Sequence, residues 1–308
     1  MAASIEVRGA ARSFGEVHAV RSASFDVPAG SVTGLIGPNG SGKTTMMLMM
    51  ASLLRPDRGS VQISGWDATT HPTEVRRVLG WMPDALGVWA NLSVREVLTT
   101  VGTMYGMPKA VAEGRTEELL ALVGLTELAG YKSHVLSRGQ KQRLSLARAL
   151  VHDPEVLLLD EPASGLDPAS RIELRQIIKN QAARGKSVLI TSHVLDELEE
   201  MIDRVVFMKA GETTDPATVT AALVAGRYWR LRTLDDAALV AALDRANVPS
   251  IPENQFGGMT RLIAFVDDTA AAEMLSWLVG QGIPFTEFAP AQGMLEQAFV
   301  HLAGVDHV

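Results

Sequence analysis

Cysteine is absent from the sequence, which removes disulfide bonding and thiol chemistry and suits a reducing compartment. No apolar run approaches the roughly 18 residues that a membrane-spanning helix requires, so the chain is not expected to cross a bilayer by itself. The opening residues, MAASIEVRGAARSF, carry charges where a secretion signal needs an apolar stretch, and secretion is not expected. Basic residues are not in excess: 28 lysines and arginines stand against 35 aspartates and glutamates, a net charge of −7. No basic patch dominates, and nucleic acid is not expected as a partner. Aromatic residues are scarce at 5%, yet two of the five tryptophans fall in one stretch, Gly80-Trp81-Met82-Pro83-Asp84-Ala85-Leu86-Gly87-Val88-Trp89. Internal repeats and low-complexity segments are lacking too.

What is present is ample for a folded core. The 308 residues, 47% of them hydrophobic, suit one large domain plus a small one, or two of ordinary size. Apolar runs of strand length occur at Val32–Ile36, Val156–Leu159, Val188–Thr191 and Val205–Met208. Stretches with helical spacing, such as Lys141–Val151 and Ile172–Ala183, lie between them. This alternation predicts an α/β fold with a largely parallel sheet. Ser93 followed by Glu96 reads as a capping box opening a helix over Val94–Tyr105.

The pattern changes at the breaker cluster Gly211-Glu-Thr-Thr-Asp-Pro216. Beyond it the spacing predicts strands over Tyr228–Arg232 and Met259–Val266, helices over Asp235–Ala246, Asp268–Gly280 and Met294–Leu302, and an extended Ile283–Phe288. With a further strand near Ser250–Glu253 and a turn at Phe256-Gly257-Gly258, this tail is a small α+β module of ferredoxin-like order. The expected division is residues 1–215, with a helical subdomain at about 84–152, and residues 216–308.

Four clusters carry chemistry. After the Val32–Ile36 run comes Gly37-Pro38-Asn39-Gly40-Ser41-Gly42-Lys43-Thr44-Thr45, then an apolar helix. This is the phosphate-loop pattern in its required strand–loop–helix setting. The glycines let successive N–H groups turn inward on phosphate oxygens, and the helix directs its positive end at the same atoms. Lys43 would reach the β- and γ-phosphates, and the Thr44 hydroxyl would ligate Mg²⁺. The plain alternative, a glycine-rich turn, does not account for both flanks. Second, the apolar run Val156–Leu159 ends in Asp160-Glu161. Beside a phosphate loop, Asp160 would hold Mg²⁺ through water and Glu161 would polarise the attacking water; standing alone, the pair would equally be a helix-capping acid pair. Third, Leu136-Ser137-Arg138-Gly139-Gln140 opens a helix and forms either an anion site or an ordinary serine N-cap. Fourth, His193 follows the Val188–Thr191 run, at the strand end where α/β sheets bind ligands.

Taken in order, G-P-N-G-S-G-K-T-T, L-S-R-G-Q-K-Q-R, L-L-L-D-E-P, S-G-L-D and S-H resemble the ATP-binding subunit of an ABC transporter over roughly the first 210 residues. The resemblance implies an ATPase that closes as a dimer around two Mg²⁺-bound ATP molecules. Phe14 would stack on adenine. Ser137, Gly139 and Gln140 would bind the γ-phosphate held by a second copy of the chain. Asp167 would lie at the dimer contact and His193 would sense the γ-phosphate. The chain departs from the usual L-S-G-G at Arg138, which is expected to point away from nucleotide.

It departs again at Asp84. The family's loop there usually carries a glutamine touching Mg²⁺ and facing the membrane partner, whereas Met82-Pro83-Asp84-Ala85-Leu86-Gly87-Val88 resembles a subset of exporter ATPases. A carboxylate on the metal would gain, because Mg²⁺ favours oxygen anions; one closer to the γ-phosphate would lose. Asp84 is expected as a metal ligand and a contact for the permease. Trp81 is expected in the core, and Trp89 is either simply packed or a hot spot for a partner protein. The segment Leu295-Glu296-Gln297-Ala298-Phe299-Val300 is similar to the closing helix of exporter ATPases whose permeases are separate chains, with drugs, lipids and polysaccharides the usual cargo; a generic dimer-stabilising tail reads equally well there. The implied location is the cytoplasmic face of the membrane, attached through the permease. ABC ATPases acting on ribosomes or DNA typically carry two ATPase domains or a long coiled coil between the first two motifs, and phosphate-loop kinases lack the signature; neither alternative matches as well.

Overall fold

The computed structural model describes residues 3–85, 87, 89–192, 195–215, 217–219, 227–252, 260–291, 295 and 302. The chain divides into two units, Met1–Thr214 and Asp215–Val308.

The first unit begins with two long strands, β1 (Ala3–Phe14) and β2 (Val17–Pro28), then β3 (Val32–Ile36) and helix α1 (Lys43–Met50). Next come β4 (Arg58–Ile63), β5 (Trp66–Asp67), α2 (Pro72–Val78) and β6 (Leu79–Met82). Helices α3 (Val94–Met104), α4 (Lys109–Leu122) and α5 (Arg138–Leu150) follow, and then β7 (Val156–Asp160), α6 (Pro168–Ala183) and β8 (Ser187–Thr191). A short α7 (Leu195–Glu199), β9 (Arg204–Lys209) and β10 (Glu212–Thr213) complete the described elements.

The sheet runs β5-β4-β1-β2-β10-β9-β3-β8-β7-β6. Strands β9, β3, β8, β7 and β6 pair in parallel, while β1, β2, β4 and β5 are antiparallel. The sheet is therefore mixed, not largely parallel as the apolar runs predict. The reason lies in the burial pattern. β3, β7 and β8 are buried at every residue and read as continuous apolar runs, as strands covered on both faces do. β2 buries Val20, Ala23, Phe25 and Val27 among exposed neighbours, and such a half-buried strand leaves no apolar run to find.

Helix α1 anchors the core. Met46, Met47, Met49 and Met50 are each fully buried among Ile5, Val7, Leu35, Leu158 and Leu189, where flexible thioether chains fill the irregular space under a sheet. The predicted capping box is observed: Ser93 Oγ accepts from Glu96 N–H and Glu96 returns the contact to the Ser93 amide.

In the second unit, β11 (Arg227–Thr233), α8 (Asp236–Arg245), β12 (Ile251–Pro252), β13 (Thr260–Phe265), α9 (Asp268–Gly280) and β14 (Phe285–Pro290) follow one another. The sheet order is β12-β13-β11-β14, antiparallel throughout. Leu231 and Ile263 from the sheet pack on Leu239 and Leu243 of α8 and Ala271 and Leu278 of α9. Asp235 and Asp267 cap those helices by accepting from the Ala238 and Ala270 amides. The predicted turn at Phe256–Gly258 falls outside the described residues, and of the predicted helix over Met294–Leu302 only Leu295 and Leu302 are described.

Candidate active site

The parallel strands bring the sequence clusters to one edge of the sheet. The phosphate loop follows β3, Asp160 ends β7, Thr191 ends β8 and Asp84 lies two residues past β6, all at carboxyl ends, where α/β sheets bind ligands. The loop's glycines are there for space as well as for conformation. A Cβ at Gly37 would meet the Met208 carbonyl oxygen at 2.1 Å, and one at Gly42, where φ is +102°, would meet the Ala19 carbonyl oxygen at 2.3 Å.

Gly42 is also the N-cap of α1, which has no side-chain cap and no acidic residue in its first turn. By contrast α3 and α5 each carry a complete capping box. An uncapped start that follows an inward-turning loop leaves amides and the positive helix end for an anion. Ser41 is buried and its hydroxyl finds no hydrogen-bond partner among the described residues. Lys43 folds back, donating to the Gly37 and Pro38 carbonyls at 2.7 and 3.1 Å. Burial lowers its pKa, and the nearby Glu161 and Asp160 charges oppose that shift.

Asp160 is buried and accepts from the Thr191 hydroxyl at 2.5 Å. Burial raises its pKa; the Thr191 bond opposes the rise, the Asp84 charge adds to it, and the Asp84 amide also donates to the carboxylate. A buried carboxylate with a second acidic charge near it fits a divalent cation. No group of three acidic or histidine side chains able to hold a metal by itself occurs among the described residues.

Glu161 has a backbone φ of +50°, unusual for a non-glycine residue and costing on the order of 1 kcal/mol. Its surroundings hold it there: its N–H donates to the Thr191 carbonyl and hydroxyl, and its carbonyl accepts from Gln142 Nε2 at 2.7 Å. His193 lies outside the described residues.

Ser137 is the N-cap of α5, accepting from the Gln140 amide while Gln140 Oε1 accepts from the Ser137 amide at 2.9 Å. Of the two readings of this turn, the serine N-cap is the one observed, with the Gln140 side chain turned back on its own helix. Asp167 caps α6 by accepting from the Ser170 amide at 3.0 Å, and the hydroxyl of Ser170 holds its carboxyl below the usual range.

Phe14 ends β1 with 49% of its surface exposed, and the Arg12 guanidinium sits 5.0 Å from its ring centre. One face is covered by a cation and the remaining exposed area suits a base. Trp81 is half-buried against the core, while Trp89 is 40% exposed with Arg148 over its ring. Both border a groove of about 610 Å³ that also includes Arg76, Arg77, Met104 and Tyr105.

Sequence reasoning did not single out Thr191, Gln142 or Arg12. Thr191 and Gln142 act through contacts between segments distant in sequence, for which a single sequence carries no signal, and Arg12 is brought over Phe14 by the conformation of β1.

Comparison with known proteins matches residues 20–164 to the ABC transporter family. The chain is 39% identical over 209 residues to the Nod factor export ATP-binding protein I of Burkholderia lata, covering 68% of this chain and 69% of that one. It is 32% identical over 305 residues to the daunorubicin/doxorubicin resistance ATP-binding protein DrrA of Streptomyces peucetius, covering 97% and 92%. Among solved structures, an ATP-binding subunit of an ABC transporter superposes with a TM-score of 0.65 at 27% identity, covering 68% of this chain and 88% of that one. The dimeric cassette MJ0796, bound to ADP and phosphate after hydrolysis, gives 0.64 at 25% identity and covers 68% and 97%. The chain belongs to the ABC transporter family as an ATP-binding protein, and it is an ATPase of that family.

Proposed function

We propose that this chain is the ATP-hydrolysing subunit of an exporter, working as a homodimer on the cytoplasmic face of a membrane and driving a separately encoded permease. The observation that carries the reading is the uncapped α1 start beside the Asp160–Asp84 carboxylate pair on one sheet edge.

In this reading Gly37 to Thr45 cradle the phosphates with backbone amides, and Lys43 leaves its two carbonyls for the β- and γ-phosphate oxygens. Thr44, Asp84 and Asp160 hold Mg²⁺, which when bound neutralises charge on the phosphates. Glu161 accepts a proton from water as its oxygen bonds to the γ-phosphorus and the bond to ADP breaks; His193 contacts the γ-phosphate. Phe14, backed by Arg12, stacks on adenine. Ser137, Gly139 and Gln140 of the second copy close on the same nucleotide, which requires Gln140 to leave its cap, and Asp167 contacts the facing chain.

Export is supported by the relatives that span nearly the whole chain. DrrA and the linearmycin resistance protein LnrL of Bacillus subtilis, 29% identical over 298 residues and covering 95% and 96%, are named for drug resistance. The cargo class is a drug, lipid or polysaccharide-like molecule. The reading of the second unit as a ferredoxin-like accessory domain is supported by its strand–helix–strand–strand–helix–strand order and its β12-β13-β11-β14 sheet. The groove with exposed Trp89 receives the permease; three arginines among its lining side chains favour an acidic segment there.

Replacing Glu161 by Gln tests the reading. Water then lacks its base, ATP persists and the dimer is trapped, visible as a doubled mass in sedimentation with ATP but not without it. Turnover at the parent rate by Glu161→Gln would remove Glu161 from the role of base.

A further inference from the structure

Arg138, the residue that departs from the glycine signature, makes a contact that none of the roles above uses. Its Nη2 donates to the Ser164 hydroxyl at 2.8 Å, and its stem lies against Gly165. A Cβ at Gly165 would meet Arg138 Cδ at 2.7 Å and Nε at 2.8 Å, and the φ of +75° there favours glycine as well. Gly139 approaches the same turn: a Cβ there would be 3.3 Å from Leu166 Cδ2 and 3.5 Å from the Gly165 carbonyl oxygen. Two further side chains of α5 extend the seam, Gln142 to the Glu161 carbonyl at 2.7 Å and Arg143 to Ser170 Oγ at 2.7 Å. The first turns of α5 are thus fastened to the segment that carries Glu161 and Asp167.

We infer that Arg138 is a positioning residue that fastens the signature to the Ser164–Asp167 turn, so that nucleotide bound against one chain's signature fixes Glu161 in that same chain's phosphate-loop site. The inference rests on the proposed reading that the signature binds the partner chain's nucleotide. In such a dimer each chain serves two sites, one with its signature and the other with Glu161. A rigid link inside the chain therefore connects the two sites. With glycine at 138 the hydroxyl contact would not exist, and the turn would lose the guanidinium packed over Gly165. An exposed contact of this kind adds little to the stability of a single chain, so its loss registers in turnover and not in melting.

The test uses the full chain, with ATP hydrolysis followed against ATP concentration. The parent is expected to hydrolyse ATP cooperatively. Arg138→Ala is expected to melt within about 2 °C of it, to keep its half-saturating ATP concentration, and to lose cooperativity with a kcat lower by roughly tenfold, the scale of one hydrogen bond to a charged group. Arg138→Lys, which keeps a long stem and a donor, restores most of the kcat. Ser164→Ala is slow as well, and combining it with Arg138→Ala is no slower than the slower single change, because both remove one link. A parent kcat and cooperativity in Arg138→Ala, equal behaviour of the Lys and Ala variants, multiplying losses in the double variant, or a non-cooperative parent would each overturn the inference. Failure of the Glu161→Gln chain to dimerise with ATP would instead overturn the reading beneath it.

Discussion

Replacing Asp160 by Asn should make the nucleotide-free protein more stable and the enzyme inactive. Asp160 is 6% exposed, has Asp84 beside it as a like charge, and accepts from the Thr191 hydroxyl. Asparagine fills the same volume and still accepts from Thr191, but carries no charge. A buried carboxylate bears the desolvation cost of its charge and the repulsion of a like charge beside it, and a neutral group of the same shape bears neither. The Lys43 charge, which favours the carboxylate, and the new amide donors keep the expected gain small, about 1 kcal/mol, the differential interaction that one pKa unit represents. For a unit of this size each kcal/mol moves the melting temperature by roughly 2–4 °C.

The sign with pH follows from the raised pKa. Asp160 holds its proton to higher pH when folded than when unfolded. Its contribution to stability is therefore fully present below the ordinary carboxyl range and is lost as pH rises through the raised folded value. The advantage of Asp160→Asn should be largest at neutral pH and shrink on acidification. Thermal unfolding in chelator across that range measures it, with Mg²⁺ and ATP added in a second series. There the parent gains about 2.7 kcal/mol at a hundredfold excess over Kd, and the variant gains less and does not hydrolyse. A lower melting point for Asp160→Asn at neutral pH, or a gap that ignores pH, would mean that the Asp160 charge does not destabilise the folded chain.

Phe14→Ala should weaken ATP binding by roughly 5- to 150-fold, the range of one base-stacking contact, and Arg12→Ala by a smaller factor, since Arg12 only backs the ring; titration with a fluorescent ATP analogue reads both, and unchanged affinity in Phe14→Ala would remove the ring from the site. His152 stacks on Tyr105 with ring centres 3.7 Å apart, and burial lowers its pKa to about 4. Its contribution to stability is present above the ordinary histidine value of about 6.5 and lost as pH falls through the folded value. The melting point of His152→Phe should therefore fall less than the parent's between pH values of about 7 and 5, and an identical fall in both would contradict this.

The clusters with chemistry were legible because each is contiguous: the loop Gly37–Thr45, Asp160-Glu161 and the Ser137 turn are short strings whose neighbours announce a strand or a helix. Elements of the fold were legible where the sequence leaves a local mark, as in the fully buried β7 or the Ser93 capping box. The antiparallel β1–β2 layer was not, because alternate burial in a long ribbon produces no run. Nor were the links between clusters. Thr191 meets Asp160 through the β7–β8 register, Gln142 meets Glu161 through helix packing, and Arg138 finds Ser164 across a turn 26 residues away. Such pairs depend on where segments distant in sequence come to lie.

A permease driven by this ATPase should be recoverable with it when the tagged chain is purified from detergent-solubilised native membranes and the co-purifying chains are identified. One polytopic membrane protein is expected in near-equal amount, lost several-fold when Trp89 is changed to Ala. Ribosomal or DNA-associated chains in its place, or no stable partner in repeated preparations, would contradict it.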